Sequence, residues 1–295
     1  MKVVDTIADL REARAQLQGR VGLVPTMGAL HEGHMSLVKA AREDCDKVVV
    51  TIFVNPTQFG PNEDLDAYPR DLPGDLAKLE GVGVDLVFTP TPEIMYPADY
   101  QTFVEVEKVS QGKEVAHRPG HFRGVATIVT KLFNLTQPNV AYFGQKDAQQ
   151  VAVIKALVRD LNFPLDIVVI PIVREADGLA MSSRNVYLNP DERRAATALS
   201  RSLQAAAAAY EAGERDPERL RQAVLDVLNA EPLAHVDYVS VADAVTLEEL
   251  STPSENPILL SLTARVGLPR LLDNCLLPYS LNTREALTRT LGGTV

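Results

Sequence analysis

Charged and apolar residues alternate at helical spacing from residue 5 to residue 18, placing Ile7, Leu10, Ala13 and Leu17 on one inward stripe. Residues 21–24, Val-Gly-Leu-Val, form an apolar run too short for a helix and predict a buried strand. Helical periodicity returns with Met35, Leu37, Val38 and Ala41, and it fades near residue 43. Residues 47–54 are a continuous β-branched and aromatic run, the pattern of a strand covered on both faces in a parallel sheet. Residues 55–61, Asn-Pro-Thr-Gln-Phe-Gly-Pro, predict a turn-rich loop. The same alternation continues with a helix over 71–81, a strand over 84–89 and a helix over 121–136. A strand over 140–143, a helix to about 160 and a strand over 165–170 complete it. Strands alternating with helices are βαβ units, so the pattern predicts an α/β fold with a doubly wound, Rossmann-like parallel sheet.

Beyond residue 175 the pattern changes. Asn189-Pro and Asp216-Pro each place a capping side chain before a proline at the first helical position, and each predicts a helix start. Residues 236–241, 258–262 and 264–272 have strand character, with Gly267 and Pro269 weakening the last. Residues 283–295 are expected to fray. Two domains are therefore expected: a larger one over 1–175, and a smaller α+β C-terminal one over 176–295 that acts as a lid. The hinge is expected near residues 175–186.

The chain has 295 residues, with 46% hydrophobic and 23% charged positions. Its net charge of −10 argues against a general nucleic-acid binder, which presents a basic face. Only two cysteines are present, Cys45 and Cys275, far apart. They fit buried thiols in a reducing compartment better than a disulfide scaffold. No stretch approaches the roughly 18 apolar residues of a membrane span, and the first residues carry no signal-peptide pattern. A cytoplasmic location is expected.

In doubly wound sheets, ligands bind beyond the carboxyl ends of the strands. The polar residues that follow the expected strands are His31 and His34, Asn55 and Gln58, Lys146 and Asp147, then Ser182, Ser183 and Arg184. Residues 25–37 form a strand-to-helix turn. Gly28 and Gly33 allow close backbone approach there, and the helix N-terminus favours an anion. The two imidazoles could donate to a phosphate or bind a metal, although a zinc site lacks a third ligand nearby. Lys146 could neutralise a polyphosphate. Asp147 and Gln150 also have the spacing of a capping box. The Ser-Ser-Arg turn suits phosphate oxygens, yet a serine-rich hinge needs no ligand. Arg118-Pro-Gly-His121 is either part of a site or a helix start whose arginine pairs with a carboxylate.

HEGH at 31–34 resembles the HxGH signature of the nucleotidyltransferases. The full set of motifs resembles the pantothenate synthetase (pantoate–β-alanine ligase) family: PTMGALHEGH (25–34), FVNPTQF (53–59), DAYPR (66–70), RPGHF (118–122), GQKDAQQ (144–150) and VREADGLAMSSRN (173–185). Gln145 stands where many relatives carry glutamate. The resemblance implies ATP-dependent activation of pantoate to pantoyl adenylate, with pyrophosphate released, and then displacement of AMP by β-alanine. It implies Mg²⁺ on the phosphates, with its protein ligands unknown, and a homodimer. It implies that Met27, Gly28, Ala29, Leu30, His31, Glu32, Gly33 and His34 line the ATP phosphates, with His34 donating to developing charge. By the same likeness Lys146, Ser182, Ser183 and Arg184 hold the β- and γ-phosphates. Gly144 and Asp147 meet the ribose, Gln145 belongs to the same ATP site, and the backbones of Val173 and Met181 meet the adenine. Catalysis would fall to His31, His34, Lys146 and Arg184. Gln58 and Gln150 would grip pantoate, Asn55 and Tyr68 would stand where β-alanine enters, and Arg118 and His121 at the rim.

Three other readings compete. An aminoacyl-tRNA synthetase would need an anticodon-binding extension and a basic surface. A nucleotide sensor would have lost some of His31, His34, Lys146 and Arg184. A metal hydrolase using His31 and His34 would depend on zinc.

Overall fold

The structure is a computed structural model that describes residues 1–61, 63–111, 114 and 118–295. These residues gather into two compact units. One comprises Met1–Gly144 and Val153–Ile170 with Val295, and the other Gln145–Ala152 with Pro171–Thr294.

In the first unit, strands β1 (Lys2–Val4), β2 (Val21–Thr26), β3 (Lys47–Ile52), β4 (Leu86–Phe88), β5 (Val140–Gly144) and β6 (Asp166–Ile170) form a sheet in the order β1-β4-β3-β2-β5-β6. Every pairing in it is parallel. Helices α1 (Ile7–Ala15), α2 (Glu32–Asp44), α3 (Leu72–Val82) and α5 (His121–Thr136) flank it, with a single helical turn, α4, at Pro92–Met95. Helix α6 (Ala148–Asp160) begins in the second unit and ends in the first. The β-branched run of β3 is buried as its composition demands: Val48, Val49 and Val50 have no exposed surface. On α1 the stripe buries Leu10 and Ala13, while Ile7 and Leu17 remain half-buried. Strand β1 was not expected. It is a three-residue edge strand with only Val4 buried, too short to carry a period.

The strand order reverses between β2 and β5. Chain connections from β2 run one way across the sheet, and those from β5 run the other. The switch point therefore lies at the carboxyl ends of these two strands.

The second unit packs helices α7 (Pro190–Glu211) and α8 (Pro217–Asn229) on an antiparallel sheet of β7 (Ala234–Asp243), β8 (Ile258–Val266) and β9 (Arg270–Leu277). Asn189 Oδ1 accepts from Asp191 N and Glu192 N, and Glu192 returns a carboxylate to Asn189 N, so the helix start is a complete capping box. Leu199, Leu203, Ala206 and Tyr210 of α7 meet Leu220, Val224 and Leu228 of α8 and the inner face of β8 in one core.

Two expectations are corrected here. The strand boundary does not fall at Thr263. Strand β8 runs through to Val266, and the chain turns at Gly267 (φ +62°) before β9 starts at Arg270. The weakening residues Gly267 and Pro269 are thus the turn itself. Nor is the C-terminal segment frayed. Thr283 caps a helix, α9 (Arg284–Thr290), and Leu287 and Leu291 are fully buried. Cys45 and Cys275 are buried free thiols. Among the described residues no helix is long and apolar enough to cross a membrane.

Candidate active site

The turn after β2 is built from backbone that only a firm external partner would hold. Gly28 (φ +86°) and Ala29 (φ +51°) both lie in the left-handed region, a costly one for alanine. A Cβ on Gly28 would press on Ile52 at 3.1 Å and on Asp75 at 3.2 Å. Asp75, from the first turn of α3 and only 1% exposed, accepts Ala29 N at 2.8 Å and Leu30 N at 2.7 Å. Lys78, one helical turn on, donates to Leu30 O at 2.7 Å and lies 3.8 Å from Asp75. The carboxylate–amide bonds are charge-assisted, the strong kind.

His31 is the N-cap of α2. Its Nδ1 accepts Gly33 N at 3.1 Å, and His34 Nδ1 accepts His31 N at 3.4 Å, a capping box made of two imidazoles. The rings lie 4.1 Å apart between centroids. Because each Nδ1 is an acceptor, each neutral ring carries its proton on Nε2. Both histidines are thus set as Nε2–H donors at a helix N-terminus, where partial positive charge already favours an anion.

Beyond β3, Asn55 is 1% exposed and has its amide fully engaged. Its Oδ1 accepts Thr57 Oγ1 and Tyr96 OH, both at 2.9 Å, and Thr57 N at 3.3 Å. Its Nδ2 donates to Gln58 Oε1 at 3.0 Å and to Gly124 O at 3.2 Å. Burial pushes the Tyr96 phenol up to about 12, so it stays a donor. Gln58, at the end of the 3₁₀ turn Pro56–Gln58, is left to donate Nε2 to the Met27 thioether at 3.0 Å. A thioether is a weak acceptor that a substrate oxygen would readily replace.

The Gln58 main chain is held from below. His121 Nδ1 stands 2.9 Å from Gln58 O, and His121 Nε2 lies 3.2 Å from Arg118 Nη1. A guanidinium only donates, so Nε2 accepts and Nδ1–H donates to the carbonyl. Burial first, and then Arg118, lower the His121 imidazolium to about 4, so the ring is neutral. Arg118 makes a two-pronged contact to Glu63, Nε–Oε1 2.8 Å and Nη2–Oε2 2.6 Å, and also donates to Gln58 O. Arg118 thus pairs with a carboxylate, as one of its two expected readings has it. Tyr68 is buried and packs edge-on to Phe59 at 5.9 Å.

In the second unit, Gln145 is 2% exposed, at the start of a 3₁₀ turn, Gln145–Asp147, that runs directly into α6. Its Nε2 donates to Asn282 Oδ1 at 2.7 Å, and its Oε1 accepts Ile172 N at 3.3 Å. A neutral amide there can both donate and accept. Lys146 and Gln150 are half-buried, and Asp147 is exposed.

Residues 173–181 form a tight hairpin. Met181 N donates to Val173 O at 3.0 Å, Glu175 N to Leu179 O at 2.8 Å, and Arg174 bridges Ala180. Ser182 caps the 3₁₀ turn Ser183–Tyr187, accepting Arg184 N at 3.3 Å. Asn185 ties that turn back to Glu175 Oε1 at 2.8 Å and to Ala180 O at 3.2 Å, and Arg193 pairs with Glu175 and Asp177. The Ser-Ser-Arg segment is therefore pinned within its unit.

Several supporting residues escaped sequence reasoning: Asp75, Lys78, Glu63, Tyr96, Arg174, Asp273, Asn274 and Asn282. Asp75 carried a faint signal, an acid in a helical first turn, but that is also where any helix favours one. Among the described residues no group of three or more His, Cys, Asp or Glu side chains is placed to hold a metal ion.

A parallel sheet that hands its switch-point strands to an HxGH turn and a lysine turn is the framework of the HxGH nucleotidyltransferase class. Within that class the particular family is unambiguous: the profile of the family described as pantoate–beta-alanine ligase matches residues 2–276, and the chain belongs to that family. It is 62% identical to the pantothenate synthetase of Roseiflexus sp. (strain RS-1) over 277 residues, 94% of this chain and 99% of the relative. The crystal structure of pantothenate synthetase from Thermus thermophilus superposes with a TM-score of 0.87 at 46% identity, covering 93% of this chain and 98% of that one. A pantoate–beta-alanine ligase from Francisella tularensis, solved with beta-gamma ATP and beta-alanine, matches at 35% identity. Its TM-score is 0.76, with 94% of this chain and 97% of that one covered.

Proposed function

We infer that the chain joins pantoate to β-alanine at the expense of ATP, by way of pantoyl adenylate. A carboxylate oxygen of pantoate attacks the α-phosphorus and pyrophosphate leaves. The β-alanine amine then attacks the acyl carbonyl, AMP leaves, and the amine loses a proton. The observation that carries this reading is the family match over residues 2–276 with every motif intact around a fixed imidazole pair.

Both reactants of the first step are anions, so the chemistry needs charge neutralisation and in-line placement more than a covalent helper. We assign His34 as the Nε2–H donor to charge developing at the α-phosphate, with His31 beside it and residues 27–33 lining the phosphates. Lys146, Ser182, Ser183 and Arg184 serve the β- and γ-phosphates of the same nucleotide. Gly144, Gln145, Asp147, Val173 and Met181 serve its ribose and base. Gln58 and Gln150 hold pantoate. Asn55, Arg118 and His121 act one layer back, by fixing Gln58, and Tyr68 keeps the β-alanine side. Mg²⁺ retains most of its ligands from phosphate and water. It would therefore ride on the triphosphate, where it offsets charge. Pantoyl adenylate is water-labile, and we assign the smaller C-terminal domain the role of a lid over it. A cytoplasmic homodimer assembled through the larger domain follows from the family likeness, and sedimentation equilibrium giving the mass of one chain would contradict it.

The test of the reading is product analysis. ATP, Mg²⁺, pantoate and β-alanine are expected to yield pantothenate, AMP and pyrophosphate by mass spectrometry, and ADP with phosphate would overturn it.

A further inference from the structure

We propose that Asp273 and Asn274, consecutive residues of the edge strand β9, are positioning residues that together hold the lysine turn and the Ser-Ser-Arg turn at a fixed separation before nucleotide arrives. The proposal rests on the assignment of both turns to the ATP phosphates.

Asp273 is 1% exposed and grips Arg174 with both oxygens, Nη1–Oδ2 2.6 Å and Nη2–Oδ1 2.9 Å. Arg174 Nη1 also donates to Gly178 O at 3.1 Å, so one guanidinium ties the two arms of the hairpin 173–181 and anchors them to β9. That hairpin carries Ser182–Arg184 through Met181 on one side and Asn185 on the other. A buried carboxylate is costly unless paired and hydrogen-bonded. Here the guanidinium and Asn274 N, at 2.8 Å, supply three donors.

Asn274 grips the second turn. Its Nδ2 donates to Lys146 O at 2.8 Å and to Gln145 O at 3.1 Å. Two successive carbonyls of the lysine turn are thereby bound by one amide. Asn274 Oδ1 is buried with no partner among the described residues, so the residue is retained there at an electrostatic cost. Burial pushes the Asp273 carboxyl up, and Arg174 first, then the Asn274 N–H and last Lys146, act against that by favouring its charged form.

Helix packing alone requires none of this. The core of the second unit is made by α7, α8 and the inner faces of β7, β8 and β9, the last through Leu271, Cys275 and Leu277. Strand β9 adds a polar bracket whose two sequence-adjacent residues each serve one phosphate-directed turn. Pre-set geometry of this kind lowers the ordering cost of binding.

Steady-state kinetics on Asn274→Ala, Asp273→Asn and Lys146→Ala, with circular dichroism and thermal unfolding as the control for folding, test the proposal. The expected result for Asn274→Ala and Asp273→Asn is a KM for ATP raised about tenfold or more, with kcat changed far less. If Lys146→Ala raises the ATP KM while neither β9 variant does, the bracket is wrong and the phosphate site stands. If Lys146→Ala leaves the ATP KM unchanged, the site assignment itself fails. Should Asp273→Asn not fold, Asn274→Ser carries the test: its hydroxyl can serve only one carbonyl, and an ATP KM equal to that of the unmodified chain would overturn the bracket.

Discussion

At the scale of single residues, the two imidazoles of the HxGH turn owe their usefulness to what their other nitrogens do. Each Nδ1 is occupied by a backbone N–H, which leaves Nε2–H as the donor whatever ligand arrives. His34→Ala is therefore expected to lower the rate of adenylate formation by a factor of order 10² to 10⁴; single-turnover pyrophosphate release at the unmodified rate would contradict the role. Gln58→Ala is expected to weaken pantoate binding, because polar substrate groups lose their partner, and calorimetry measures it directly. His121 makes a pH signature. Its folded value near 4 lies below the ordinary 6.5, so the unfolded chain binds the extra proton first. Stability should hold above 6.5, fall as pH drops towards 4, and level off below, a total of roughly 3 kcal/mol. Denaturant titrations across that window should show the slope, and His121→Gln should flatten it. The residues proposed to meet ligand stand out in the sequence because chemistry-bearing types cluster after strand ends. Their supports do not. Asp75 and Asp273 look like any surface acid until the fold buries them, and Glu63 until Arg118 pairs with it.

At the scale of elements, the strand-to-helix turns depend on how closely α3 and α5 approach them. Gly124 of α5 has no room for a side chain, since a Cβ there would overlap the Thr57 carbonyl and crowd Gln58 N. Gly124→Ala should displace the turn that carries Gln58 and weaken pantoate binding by about tenfold, corresponding to about 1.4 kcal/mol, while ATP affinity stays unchanged. An unaltered pantoate affinity would show that the turn does not need the close approach. The parallel strands and the capped helices were readable because burial on both faces and Asn-Pro or Asp-Pro starts leave strong local marks. The boundary between β8 and β9 was not, since a continuous apolar run hides its register until Gly267 is seen in the left-handed region. Helix α9 was missed because it spans seven residues and is held by Leu287 and Leu291 rather than by its own period.

At the scale of the whole molecule, the motifs are shared between two units: the HxGH turn and Gln58 in one, Lys146 and the Ser-Ser-Arg turn in the other. Helical and strand periods showed that the fold class changes after the parallel sheet. They could not show that residues 145–152 side with the second unit, because a helix spacing does not reveal which core its first turn joins. A lid role for the second unit implies compaction on binding: small-angle scattering should give a smaller radius of gyration with a non-hydrolysable ATP analogue and pantoate, and superimposable curves would count against closure. The central claim is attack by a pantoate carboxylate oxygen on the α-phosphorus, and isotope transfer tests it most directly. With pantoate labelled by ¹⁸O in its carboxylate, one labelled oxygen is expected in AMP and none in pyrophosphate. Label appearing in inorganic phosphate, or AMP free of label while pantothenate forms, would contradict it.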